Sequence, residues 1–93
     1  MSTMVVEHSF GQPLTEEELR AAFARLDLCL EARGARRKRS YVCADRHMMI
    51  CEFEAADAEA LQASLRAAET PFGRVWVAEP LQARSKTQPG DFS

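Results

Sequence analysis

The sequence is short of the features that announce a function. Its 93 residues include one tryptophan, one tyrosine and four glycines, and no glycine-rich loop of the kind that cradles phosphate. No apolar run approaches the ~20 residues a bilayer span requires. Met1-Ser2-Thr3-Met4 is not a basic segment followed by a long apolar one, so no export signal is expected. The cysteines are three, Cys29, Cys43 and Cys51, an odd number with no C-x-x-C pair. That argues against a disulfide framework or a structural zinc site and predicts reduced thiols in a cytoplasm. An excess of basic charge is also missing. Twelve Lys and Arg face fourteen Asp and Glu, a net charge of −2, which argues against a general nucleic-acid binder.

What is present fits one small globular domain, with 46% hydrophobic and 28% charged residues. A chain this short has a modest core, and oligomerisation would help it. Residues 4–10 (MVVEHSF) are β-branched and aromatic and predict a strand, broken by Gly11-Gln12-Pro13. Thr15 followed by Glu16, Glu17 and Glu18 predicts a capping box, with three carboxylates at the positive end of the helix dipole. Leu19, Ala22, Phe23, Leu26 and Leu30 give that helix its apolar face, and Gly34 stops it. Residues 36–44 and 47–54 predict two strands joined by a turn at Asp45-Arg46. Residues 55–69 predict a helix capped by Asp57, and residues 74–79 a last strand. Residues 1–81 thus form one domain, and the polar segment 82–93, with Pro89 and Gly90, reads as a flexible tail.

The order strand, helix, strand, strand, helix, strand is the split βαβ, or ferredoxin-like, arrangement of the α+β class. It places both helices on one face of an antiparallel sheet and the first and third strands in its middle. The other face then needs a cover. The third strand reads Met48, Met49, Ile50, Cys51, Phe53, apolar on both sides, where a solvated face would alternate. Two copies packed sheet to sheet would solve this, which predicts a homodimer.

Ser40-Tyr41-Val42, Asp45, Cys51-Glu52-Phe53-Glu54-Ala55, Ala58-Glu59-Ala60-Leu61, Pro71 and Arg74-Val75, in that order, resemble the domain-of-unknown-function 4242 family. Glu7 resembles that family's acidic position in the first strand. The likeness runs from about Met4 to Leu81. It implies a ferredoxin-like subunit in a dimeric α/β barrel of bacterial, cytoplasmic type. At least one member is described as nickel-binding, so nickel or a similar divalent transition metal is the cofactor the resemblance implies. The family has no established common activity. Two frequent family histidines are replaced here, by Arg39 and by Ser64, so nickel binding does not carry over to those positions.

Candidate sites follow from the topology. Glu7 and Glu52 sit on the two central strands, and the sequence leaves open which face they take. If they face away from the helices, they line a dimer interior with Tyr41 and Trp76 and could grip a cationic or hydroxylated ligand. The alternative is ion pairing with Arg37, Arg39 or Arg74 across the sheet. His8 and His47 should reach the same end of the sheet, with Cys43 at that edge and Asp45 in the turn. Imidazole and thiolate suit nickel, copper or zinc, so His8, Cys43 and His47 are a candidate metal set. A one-residue register change would separate them. The basic run Arg36, Arg37, Lys38, Arg39 lacks interleaved aromatics and reads as a charged edge strand, where charge deters sheet-to-sheet aggregation. The expected function is a non-catalytic homodimer that binds a small ligand or metal ion. The alternatives are a small dimeric-barrel enzyme using Glu7 or Glu52 as base, and an interaction module presenting Arg36 to Arg39.

Overall fold

The computed structural model describes residues 1–79 and residue 81; the expected tail at 82–93 lies outside the described residues. The elements are β1 (Ser2–Ser9), α1 (Glu16–Glu31), β2 (Arg36–Val42), β3 (Met48–Ala55), α2 (Ala58–Ala67) and β4 (Val75–Val77). They form one sheet in the order β2-β3-β1-β4, with every pairing antiparallel. This is the predicted ferredoxin-like α+β fold with β1 and β3 central.

Local chemistry accounts for the element ends. Thr15 Oγ1 accepts from the Glu18 amide at 3.1 Å, and Glu18 Oε1 accepts from the Thr15 amide at 2.8 Å. The predicted capping box thus satisfies two amides the helix leaves free. At the far end Gly34 has φ +70, and the Ala35 amide donates to the Leu30 carbonyl at 2.9 Å. A side chain at position 34 would strain this left-handed turn. Asp57 caps α2 through the Ala60 amide at 2.7 Å, so α2 begins at Ala58 rather than at Ala55. Ala55 is instead the last residue of β3, paired with Ser2 of β1. β1 likewise begins two residues before Met4, and β4 is only three residues long.

Pairing fixes which residues share a face. His8 lies opposite Met49, Val6 opposite Cys51 and Met4 opposite Phe53, and all six are buried beneath the helices. Leu26 and Leu30 of α1 and Leu61 and Leu65 of α2 close this layer. Burying each of these large side chains contributes about 1.5–3 kcal/mol. An irregularity between Arg37 and Arg39 adds one residue to β2. It lets Arg37 turn to the helix side, where its guanidinium sits 4.1 Å over the Phe23 ring and bonds Asp27, while Arg39 turns the other way.

Candidate functional site

The alternation of β1 and β3 sends Glu7 and Glu52 to the face away from the helices, together with Val5, Ile50 and Met48. Tyr41 joins them from β2, opposite Ile50, and Trp76 from β4, opposite Val5. This face keeps large apolar side chains in solvent: Tyr41 is 64% exposed, Met48 53%, Ile50 44% and Trp76 42%. A shallow hollow of about 600 Å³ runs across it. Tyr41, Glu52 and Trp76 line that hollow with Arg39 and Ile50. Glu7 shares the face but stands outside the hollow, joined to it through Trp76.

Both carboxylates have partners. Glu7 Oε2 accepts from Trp76 Nε1 at 3.1 Å and lies 3.8 Å from Arg74. Glu52 Oε1 lies 3.2 Å from Arg39 Nε. The ion-pair alternative therefore holds for Arg39 and Arg74 and fails for Arg37, which faces the helices. Arg39 and Arg74 keep most of their side chains in water (58% and 79% exposed), so either can swing off its glutamate at little cost. The rest of the basic run is also paired: Arg36 and Lys38 both reach Glu54, at 2.7 and 3.8 Å.

The candidate metal set is not brought together. His8 and His47 do reach the same end of the sheet, where the Phe10 amide donates to the His47 carbonyl at 2.8 Å. His8, however, points under the helices and is fully buried, with Nδ1 2.8 Å from the Pro71 carbonyl. Burial lowers its pKa, only partly offset by the Pro71 bond. Cys43 is exposed in the β2–β3 turn, where its thiol donates to Asp45 Oδ1 at 2.7 Å and its sulfur accepts from the Met48 amide at 3.1 Å. Asp45 also accepts from the His47 amide at 3.1 Å. These bonds, the thiol's first, hold the Asp45 carboxyl below its ordinary range. His47 Nδ1 lies 3.4 Å from the Phe10 carbonyl. Among the described residues no three His, Cys, Asp or Glu side chains are placed to hold a metal ion. The physical reason is the pleat: His8 is even-numbered on a strand whose even positions face the helices, while Cys43 lies beyond the end of β2 in a solvated turn.

Arg39 and Ser64, where the family resemblance places histidines, lie on opposite sides of the sheet. Arg39 is on the open face. Ser64 is buried on α2, its hydroxyl donating to the Ala60 carbonyl at 3.0 Å and lying 3.4 Å from the Cys29 carbonyl of α1. Histidines restored at both would not meet within one subunit. Cys51 is buried with Ser40 Oγ 2.9 Å from its sulfur, and burial pushes its thiol up, away from the nucleophilic thiolate.

One grouping escapes a reading of the sequence. A second hollow lies on the helix side, and it collects His8, Phe10, Thr70 and Pro71, residues from opposite ends of the chain. No spacing signal links them; only the pairing of β1 with β3 and the turn after α2 bring them together.

The comparisons with known proteins bear on this geometry. A family model described as nickel responsive protein SCO4226-like matches residues 4–77. The crystal structure of SCO4226 from Streptomyces coelicolor A3(2) matches with a TM-score of 0.77 at 17% identity, covering 88% of this chain and 100% of that one. At that identity the likeness is one of fold. No curated protein matches the chain. The family label differs from domain-of-unknown-function 4242 and is compatible with it.

Proposed function

The chain belongs to the SCO4226-like family of nickel-responsive proteins, and from that premise we propose that it works as a homodimer whose open sheet faces meet around a ligand-binding interior. The observation that carries this reading is the exposed row Tyr41, Met48, Ile50 and Trp76 on a face the helices leave bare. Contiguous apolar surface of this kind marks an interface more often than free surface. A second copy is the occupant that fits. The face carries Arg36, Arg39 and Arg74 beside Glu7, Glu52 and Glu54. A two-fold axis through such a face can set each sign against the other.

The interior would be lined by Glu7, Tyr41, Glu52 and Trp76 from both copies. Carboxylates beside aromatic rings suit a small cationic or hydroxylated organic ligand, gripped as Arg39 and Arg74 release their glutamates. Nickel is named in the family's description. Among the described residues of one subunit no donor set gathers for it, and this reading places an organic ligand in the interior.

Sedimentation equilibrium tests the assembly. The wild type should weigh twice the 10.4 kDa subunit, and Ile50→Glu should weigh one subunit with unchanged far-UV circular dichroism. A wild type that stays monomeric up to about 100 µM, well above the concentrations at which interfaces of ordinary size hold, would sink the reading.

A further inference from the structure

A cavity of about 360 Å³ lies on the helix side of the sheet. It is a partly open hollow bounded by α1, the neighbouring ends of β1 and β3, and the segment joining α2 to β4. Its wall is mainly apolar, with Phe10, Phe23 and Leu26 among its residues, and Glu18, Arg25 and Glu69 bring charged side chains to the lining. Pockets that hold small ligands start at roughly 300 Å³, and an apolar cavity about half that size holds benzene. The space therefore suits one substituted ring.

Two of the lining residues carry buried polar atoms just behind this wall. His8 and Thr70 both line the cavity, and His8 Nε2 and Thr70 Oγ1 are buried with no hydrogen-bond partner among the described residues. Buried polar side chains are nearly always paired, so two orphans in one cavity wall need an explanation. The state of the imidazole follows from its other nitrogen. Nδ1 lies 2.8 Å from the Pro71 carbonyl, which can only accept, so Nδ1 carries the proton. Nε2 is then a bare lone pair, and burial keeps the ring neutral.

The backbone also holds this corner under strain. Glu69 has φ +56, a left-handed conformation that glycine usually takes, and the turn is closed by the Thr70 amide donating to the Leu65 carbonyl at 2.9 Å. That turn sets Pro71 against His8 and places Thr70 in the same lining.

The geometry points to a binding site for a small, mainly apolar phenol or alcohol, whose hydroxyl donates to His8 Nε2 and accepts from Thr70 Oγ1. A carboxylate has no proton to give Nε2, and an ammonium has no lone pair with which to accept from Thr70 Oγ1. A hydroxyl can do both. Nε2 and Thr70 Oγ1 are both closed to water in this conformation, so the ligand reaches them by displacing a wall side chain. Met49, unbranched and directly across the strand pair from His8, has the rotamers to move. The site stands apart from the open sheet face and holds for a monomer or a dimer.

Phenol and toluene, titrated into the full chain, test it by saturation-transfer NMR together with the ¹⁵N signals of the His8 imidazole. Phenol should bind about tenfold more tightly than toluene, the worth of one hydrogen bond. The Nε2 signal should start at the free lone-pair position and move upfield as phenol saturates. His8→Leu should keep toluene binding and erase the preference for phenol. Ala22→Phe, which fills the cavity, should remove both ligands. Failure of wild type to bind either ligand overturns the proposal, as does a phenol preference that survives His8→Leu. If His8→Leu does not fold, the wild-type nitrogen decides. An Nε2 signal that phenol leaves unmoved, or one already at the hydrogen-bonded position in the free protein, overturns the proposal.

Discussion

On the two central strands, neighbouring residues have opposite fates. Met4, Val6 and His8 of β1, with Met49, Cys51 and Phe53 of β3, are sealed under two helices. Met48 and Ile50, one residue out of phase, stand in solvent beside Tyr41 and Trp76. The covered face has its apolar atoms in van der Waals contact with α1 and α2. The open face has apolar residues of the same kind without that cover, interleaved with the pairs Glu52–Arg39 and Glu7–Arg74. The difference is one of partners rather than composition, and it separates a core from the face proposed as an interface.

The largest effect that would sharpen this contrast is Phe53→Ala. The ring is fully buried, and its loss should cost about 3–5 kcal/mol. Urea denaturation measures it, and a loss below about 1 kcal/mol, the level of a surface substitution, would show that the covered face is misassigned. Ile50→Ala is the counterpart on the open face. In a monomer, a half-exposed side chain should cost under about 1 kcal/mol. In the proposed dimer its cost should grow with protein concentration, because subunit association contributes to stability. Melting curves at two concentrations a hundredfold apart separate the two cases.

His8 gives the covered face a pH dependence. Its folded pKa lies below the unfolded value of 6.5 because burial disfavours the charged ring. Above 6.5 the ring is neutral in both states and the full stability is present. As pH falls below 6.5, the unfolded chain takes up a proton that the folded chain refuses, so stability declines. Urea midpoints at pH 7.5 and 5.5 should show this decline, and His8→Phe should flatten it. An equal decline in the variant would assign the effect to another group.

Smaller effects come from the margins. Glu69→Gly relieves the left-handed backbone and should raise stability by about 0.5–1 kcal/mol, with the glycine's greater unfolded-state freedom offsetting part of the gain. Thermal unfolding reads the gain, and a loss would mean that the Glu69 side chain makes a contact worth more than the strain. At protein concentrations low enough to hold the chain as a monomer, Glu52→Gln removes a solvent-accessible ion pair and should change stability by no more than about 0.5 kcal/mol. A cost of several kcal/mol in urea denaturation of the monomer would mean that the Glu52–Arg39 pair does more than a surface ion pair can.

Much of the covered face was legible in the sequence. Leu19, Leu26 and Leu30 recur at helical spacing, Thr15-x-x-Glu18 marks a helix start, and Asp57 and Gly34 mark ends by chemistry local to the chain. The run Met48 to Phe53 showed that the sheet would have two apolar faces. The candidate sites were less legible. Tyr41, Glu52 and Trp76 do meet along one hollow. His8, Cys43 and His47 share a sheet end and nothing more, because reaching one end of a sheet says nothing about which side a residue takes. The pairing of His8 with Pro71, 63 positions away, had no trace in local spacing.

The sequence by itself determined the elements, their order and the two-sidedness of the central strands. Capping, turn chemistry and hydrophobic period act within a few residues and need no partner from afar. Only the tertiary structure decided which face each carboxylate and histidine occupies. In a strand that choice is set by register, and one residue of slip reverses it. Register comes from packing both strands against α1 and α2 at once, a condition on the whole chain that no local stretch of it carries.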